Sequence, residues 1–126
     1  EYNNIIEMVE TENISFLEAE KIILGFDHAQ VGGKVAEKWN FPKELVEAIE
    51  YHHTPEKTKE NLDLVSIVHI ADAITMMMGV GLGVDGMAYE FSQIALDRLG
   101  IDEVEIEHII SEVSDLISDE DSFNII

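Results

Sequence analysis

Apolar residues recur at three- and four-residue spacing along most of the chain, and no stretch alternates apolar with polar positions as a half-buried strand would. An all-α fold, a single helical bundle, follows from that pattern. Tyr2 to Val9 reads as the tail of a helix already under way, so the chain reads as part of a larger protein. Ser15-Phe16-Leu17-Glu18 has a hydroxyl at a cap position and a carboxylate three residues later, which predicts a short helix to about Leu24, closed by Gly25. Helices over Asp27–Trp39 and Pro42–His53, joined by the short turn Asn40-Phe41, predict an antiparallel hairpin; a proline suits a first helical turn because it has no N–H to leave unpaired. Thr54-Pro55 stops the second arm, and a polar loop runs from Lys57 to Asn61. Leu64, Val65, Ile67, Val68, Ala71, Ile74, Thr75 and Met78 then describe a long helix, apolar around much of its circumference and therefore central. Gly79 to Gly86 is a glycine-rich connector, Met87 to Leu99 resumes helical spacing up to Gly100, and Asp102 with Glu105 caps a last amphipathic helix.

The hairpin gathers the candidate chemistry. His28 lies eleven positions before Trp39, and His53 eleven positions after Pro42, so the two arms match in length and their open ends meet. His28, Val31, Gly32, Val35 and Trp39 follow the spacing of one buried face, with Trp39 expected as a core anchor under the turn; Leu45, Ile49 and His52 form one row of the other arm, and Val46, Ile49 and His53 the next. Asp27, His28, His52, His53 and Asp72 are thus candidates to hold a divalent metal. Asp72 shares a stripe with Val65, Val68 and His69, and an unpaired carboxylate buried there would cost several kcal/mol, so a cation or strong donors are expected beside it. The intervening loop is too long for spacing to place Asp72 relative to the histidines. Plainer uses stand beside ligation: His28 can cap a turn or pair with Asp27, His52 and His53 suit a helix C-terminus as cations, and His69 can bond Asp72 or pack in the core.

Composition narrows the partners. The 126 residues suffice for one domain, and seven basic against 27 acidic side chains give a net charge of −20. That charge repels phosphate backbones and anionic lipid, so nucleic acid and membrane surfaces are not expected partners; cations or basic surfaces are. There is no cysteine to ligate metal or form a disulfide, and no apolar run long enough to span a bilayer, which fits a cytoplasmic protein. Gly81-Leu82-Gly83-Val84-Asp85-Gly86 matches a dinucleotide-binding glycine pattern, but a helix rather than a strand precedes it, so a connector is the better reading. Gly32-Gly33 within a helix costs about 1 kcal/mol per glycine relative to alanine, a cost that close helix packing would explain.

Four blocks carry a family resemblance: Phe26-Asp27-His28-Ala29-Gln30-Val31-Gly32, Ala36-Glu37-Lys38-Trp39-Asn40-Phe41-Pro42, Ala48-Ile49-Glu50-Tyr51-His52-His53, and Val68-His69-Ile70-Ala71-Asp72-Ala73. Together they resemble the later half of an HD-superfamily domain, most closely the HD-related output domain, HDOD. The resemblance covers residues 15–83, and residues 84–126 form C-terminal helices of the same single domain. It implies a helical bundle of the HD type lacking that type's N-terminal helices. It also implies that His28, His52, His53 and Asp72 match the later metal-ligand positions of enzymatic members, with iron, manganese or zinc as the metal. The adjacent histidine–aspartate pair that names the superfamily does not occur in this chain, and no histidine precedes His28. Thr54-Pro55-Glu56-Lys57 stands where cyclic-dinucleotide hydrolases of the superfamily carry a glycine-tyrosine-proline motif. The resemblance therefore implies a signal-transduction module, non-catalytic as it stands, that docks a protein partner or a fused signalling domain or pairs with its own kind. The alternative is the C-terminal half of a metal-dependent phosphohydrolase.

Overall fold

The computed structural model describes residues 1–79 and 90–118, which form seven α-helices and one 3-10 turn with no strand among them. Helix α1 (Tyr2–Glu12) ends at Asn13, which adopts the left-handed conformation at φ 53°. Helix α2 (Phe16–Leu24) carries the expected capping box: the Glu18 N–H donates to Ser15 Oγ at 3.1 Å, the Ser15 N–H donates to Glu18 Oε2 at 3.0 Å, and Gly25 closes the helix at φ 80°. Helix α3 (His28–Lys38) opens on a second box, in which Asp27 accepts from the Gln30 N–H at 2.9 Å and Gln30 Oε1 accepts from the Asp27 N–H at 3.2 Å. Helix α4 (Lys43–Tyr51) is shorter at both ends than its spacing suggested. Pro42 is its N-cap, and His52 is its C-cap with His53 just beyond. After the 3-10 turn Pro55–Lys57 come α5 (Leu62–Met77), α6 (Gln93–Leu99) and α7 (Glu103–Ser118), the last with Asp102 and Glu105 bonded reciprocally at 2.9 and 3.1 Å. The glycine pattern from Gly81 to Gly86 and the helix start expected at Met87 lie outside the described residues; residues 90–92 are not helical, and α6 begins at Gln93 with Ser92 as its N-cap, later than expected.

Packing divides into an apolar cluster at each end and a tightly apposed pair between them. Helices α1 and α2 enclose Ile5, Val9 and Ala19, flanked by Ile14, Phe16 and Ile23. Helices α5, α6 and α7 enclose Ile70, Ile74, Ala95 and Ile106. The middle pair, α3 and α4, meets over small residues: Ala29, Gly33, Ala36 and Ala48 are its buried apolar positions. A methyl group at Gly33 would lie 2.6 Å from Cβ and 3.3 Å from Cα of Glu50, and one at Gly32 would lie 2.8 Å from Cγ2 of Ile49. The glycine pair is thus where two backbones approach. Helix α4 also packs on α5, which touches α6 and the 3-10 turn and is central as expected. Glu47 faces inward from α4 and is satisfied by the Thr58 hydroxyl and by Asn61 Nδ2 at 3.1 Å, which fixes the loop leading into α5.

The buried face of α3 differs from the one its large apolar residues marked. Val31 and Val35 are exposed, and Trp39 is 68% exposed with its ring 6.2 Å from that of Phe41, so it is not a core anchor. The reason is the glycine contact: helices this close leave room only for Ala29, Gly33 and Ala36 between them, and the larger side chains rotate to the outside. Gly33→Ala should therefore destabilise the protein by about 1–3 kcal/mol in chemical denaturation, because overpacking against the Glu50 backbone outweighs alanine's better helix propensity. A neutral or stabilising substitution would show that α4 can yield.

Candidate metal centre

The open end of the α3–α4 hairpin holds three imidazoles. His28 is the first residue of α3, and its Nδ1 lies 2.7 Å from Oε2 of Glu20 on α2; the same oxygen accepts the His28 backbone N–H at 3.2 Å. A carboxylate oxygen only accepts, so His28 Nδ1 carries the hydrogen and Nε2 is left for other work. That Nε2 lies 2.8 Å from Nε2 of His53. His52 donates from Nδ1 to the Ile49 carbonyl at 2.7 Å, which again leaves Nε2 as the other ring nitrogen. The rings of His52 and His53 are 3.9 Å apart and those of His28 and His53 4.8 Å, and one ligand-capable atom from each of the three residues falls within 4.8 Å of the other two.

Asp72 arrives from α5 on another side. Its Oδ2 is 3.8 Å from Nδ1 of His53, beyond direct hydrogen-bonding distance, while the facing Nε2 of the same ring meets His28. The expectation of a buried carboxylate is met in part: the Asp72 side chain is 32% exposed, while that of His53 is 8% exposed. Of the five candidates, the four that the resemblance implied are therefore neighbours, but the group whose atoms converge is His28, His52 and His53, with Asp72 behind His53. Asp27 does other work. It caps α3 and pairs with Lys21 at 3.3 Å; burial pushes its carboxyl up, but the Gln30 amide and Lys21 outweigh burial and hold it below its ordinary value.

His69 settles into the core use. It is buried, donates from Nδ1 to the His52 carbonyl at 2.7 Å, and accepts the Ser92 N–H on Nε2 at 2.9 Å. Those bonds define one neutral tautomer, which ties α5 to the end of α4 and to the N-cap of α6. Glu20 is the residue that sequence reading missed. It lies on the apolar stripe Phe16, Ala19, Ile23, Leu24, and the reasoning that drew attention to Asp72 applies equally to it.

The donor set fits a divalent cation. Two ring nitrogens 2.8 Å apart cannot both present lone pairs unless something positive lies between or beside them, whether a shared proton or a metal. Burial, followed by the neighbouring His52 and His28, pushes the His53 pKa down to about 3, so its imidazole is neutral at neutral pH, the form that ligates metal. A carboxylate or carbonyl on the far nitrogen is the usual support of a metal-bound histidine, and Glu20 and the Ile49 carbonyl stand in that relation to His28 and His52. Three imidazoles suit zinc or iron, and a nearby carboxylate would favour manganese.

The fold and site are those of a helical protein with a histidine cluster between its helices. Residues 1–55 match the family model for the HDOD domain. A solved structure, described as an HDOD domain protein with unknown function from Geobacter sulfurreducens, is similar with a TM-score of 0.69 and 23% sequence identity; the likeness covers 94% of this chain and 43% of that one. Residues 1–55 are thus similar to the HDOD domain, and the chain has the fold of an HDOD domain protein over nearly its whole length. It spans less than half the length of that structural neighbour. The family match includes α1, which the resemblance blocks did not, and stops before the block containing Asp72. No curated protein matches the chain. No helix among the described residues is long and apolar enough to cross a membrane.

The neutral histidines make a pH signature. The folded state holds His53 and His69 below their ordinary value of 6.5, burial being the leading cause for both. An unfolded chain takes up protons on these rings that the folded chain refuses, so their contribution is complete above about pH 6.5 and is lost as pH falls, for His53 down to about 3. In metal-free protein, stability from urea midpoints should decline between pH 7 and pH 5 with a slope of up to about 1.4 kcal/mol per pH unit for each histidine, before most carboxylates titrate. A flat profile across that window would contradict the buried neutral assignment.

Proposed function

We propose that this chain is a regulatory or signal-transduction module of the HDOD type, non-catalytic as it stands, whose outer helical face docks a protein partner or a fused signalling domain. The observation that carries this reading is the apolar surface of the α3–α4 hairpin. Phe26, Val31, Val35, Trp39, Phe41 and Leu45 are all exposed, in a chain otherwise dense with charge. Large aromatic residues displayed together are characteristic of docking surfaces rather than of solvated helix faces. Two open grooves lie in this surface, one lined by Phe26, Val31 and Val35 and the other running from Phe41 and Leu45 to His52 and Asp72. The net charge of −20 supports a protein partner over nucleic acid or an anionic membrane, and is compatible with a cytoplasmic module. Pairing of two copies through the same face is the other occupant the reading allows.

The histidine cluster supports a second reading, the later half of a metal-dependent phosphohydrolase. His28, His52 and His53 would hold the cation, with Asp72 behind His53 to steady it. A metal bound there would lower the pKa of a coordinated water and polarise a phosphoryl oxygen. The chain's own residues would hold that metal from one side: Glu20 and the Ile49 carbonyl keep hydrogens on the outer ring nitrogens of His28 and His52, and burial keeps His53 neutral.

Hydrolysis assays separate the two readings, and elemental analysis tests the cation site itself. The purified protein should retain about one divalent ion per chain, removable by chelator and lost in His53→Ala, on the basis of its three-imidazole donor set. It should hydrolyse neither p-nitrophenyl phosphate nor bis-p-nitrophenyl phosphate when supplied with manganese, iron or zinc. Metal-dependent turnover abolished by His53→Ala would replace the docking module with the phosphohydrolase. For the surface, Trp39→Ala and Val35→Ser should leave stability within about 0.5 kcal/mol, as expected of exposed positions, while light scattering shows whether wild-type pairing, if present, is lost with them.

A further inference from the structure

We infer that Glu20 of α2 is the positioning residue of the histidine cluster: it fixes the proton of His28 on Nδ1 and so aims a bare Nε2 at His53. Glu20 is only 7% exposed and uses a single carboxylate oxygen for both contacts, accepting the His28 ring Nδ1–H at 2.7 Å and the backbone N–H of the same residue at 3.2 Å. The His28 side chain is 49% exposed, so no tight packing holds the ring in place. Without Glu20 a solvated imidazole is free to turn and to place its proton on Nε2, the nitrogen that lies 2.8 Å from His53. A carboxylate behind one nitrogen determines what the other can do.

The next residue separates positioning from docking. Lys21 reaches Asp27, the residue before His28, at 3.3 Å, so adjacent residues of α2 grip adjacent residues of α3. Breaking the Lys21–Asp27 pair loosens the same helix without touching the imidazole. Helix α2 shares its apolar cluster with α1, apart from the cluster of α5 to α7, and the state of His28 therefore depends on where the α1–α2 pair sits.

The inference rests on the cation-site reading only for its effect on affinity, because the tautomer can be read without metal. Long-range nitrogen–proton correlation spectra of the labelled, metal-free chain at pH 7.5 give the tautomer of each histidine, with His28 assigned by His28→Ala. Wild-type His28 should be protonated at Nδ1. Glu20→Gln, which keeps an acceptor oxygen, should preserve that form; Glu20→Leu, which removes it, should shift His28 to the Nε2–H form; and Lys21→Gln should behave as wild type. In a parallel cobalt(II) titration followed by visible absorption, Glu20→Leu should weaken binding by about 10–100-fold, with Glu20→Gln in between. Wild-type His28 found as the Nε2–H tautomer overturns the inference, and that measurement needs no variant to fold. So does a Lys21→Gln chain that loses the tautomer as fully as Glu20→Leu, since α2 would then act by docking alone. If wild-type protein takes up no cobalt, the cation reading fails while the tautomer still decides the role of Glu20.

Discussion

The close approach of α3 and α4 is the constraint on which the rest depends. Gly32 and Gly33 leave no side chain between the helices, so Ile49 and Glu50 lie against the α3 backbone. At that separation the two arms are in register, and the start of α3 meets the end of α4 with nitrogen atoms of His28 and His53 2.8 Å apart. A wider pair would have accommodated Val31, Val35 and Trp39 inside and pulled the imidazoles apart. The cost of two glycines in a helix is offset by contact between backbones and by the cluster that the contact assembles.

Polar pins hold the two end clusters in place around that pair. Glu20 and Lys21 tie α2 to the first turn of α3; His69 ties α5 to His52 and to Ser92; Glu47 ties α4 to Thr58 and Asn61. These bonds are directional, and breaking one side strands a buried donor or acceptor at a cost of about 1–3 kcal/mol. They specify how the units sit, while the apolar clusters supply most of the cohesion. Two of the three pins end on residues of the histidine cluster, so the conformation of the bundle and the state of the site are physically linked.

That linkage gives the proposed module its character. An apolar outer face and a polar histidine end share the same two helices, and one groove runs from Phe41 and Leu45 to His52 and Asp72. A partner seated in that groove would reach His52 and Asp72. The strong negative charge surrounds both with a potential that attracts cations and repels phosphate-rich polymers.

Much of this was legible in the residues themselves. The caps at Ser15 and Asp102, the glycine stops at Gly25 and Gly100, and the matched arms of the hairpin follow from local chemistry, which acts over a few residues wherever the chain goes. The meeting of His28 with His52 and His53 follows too, because a short turn between segments of matched span leaves their ends little choice, even though α4 itself is shorter than α3. Tertiary structure alone decided which face of α3 is buried, since periodicity of large apolar residues does not register that a glycine contact admits only small ones. It also decided that Glu20 stands behind His28 and Asp72 behind His53. Both carboxylates reach the cluster from other helices, and the distance between elements separated by loops is set by packing, not by spacing along the chain.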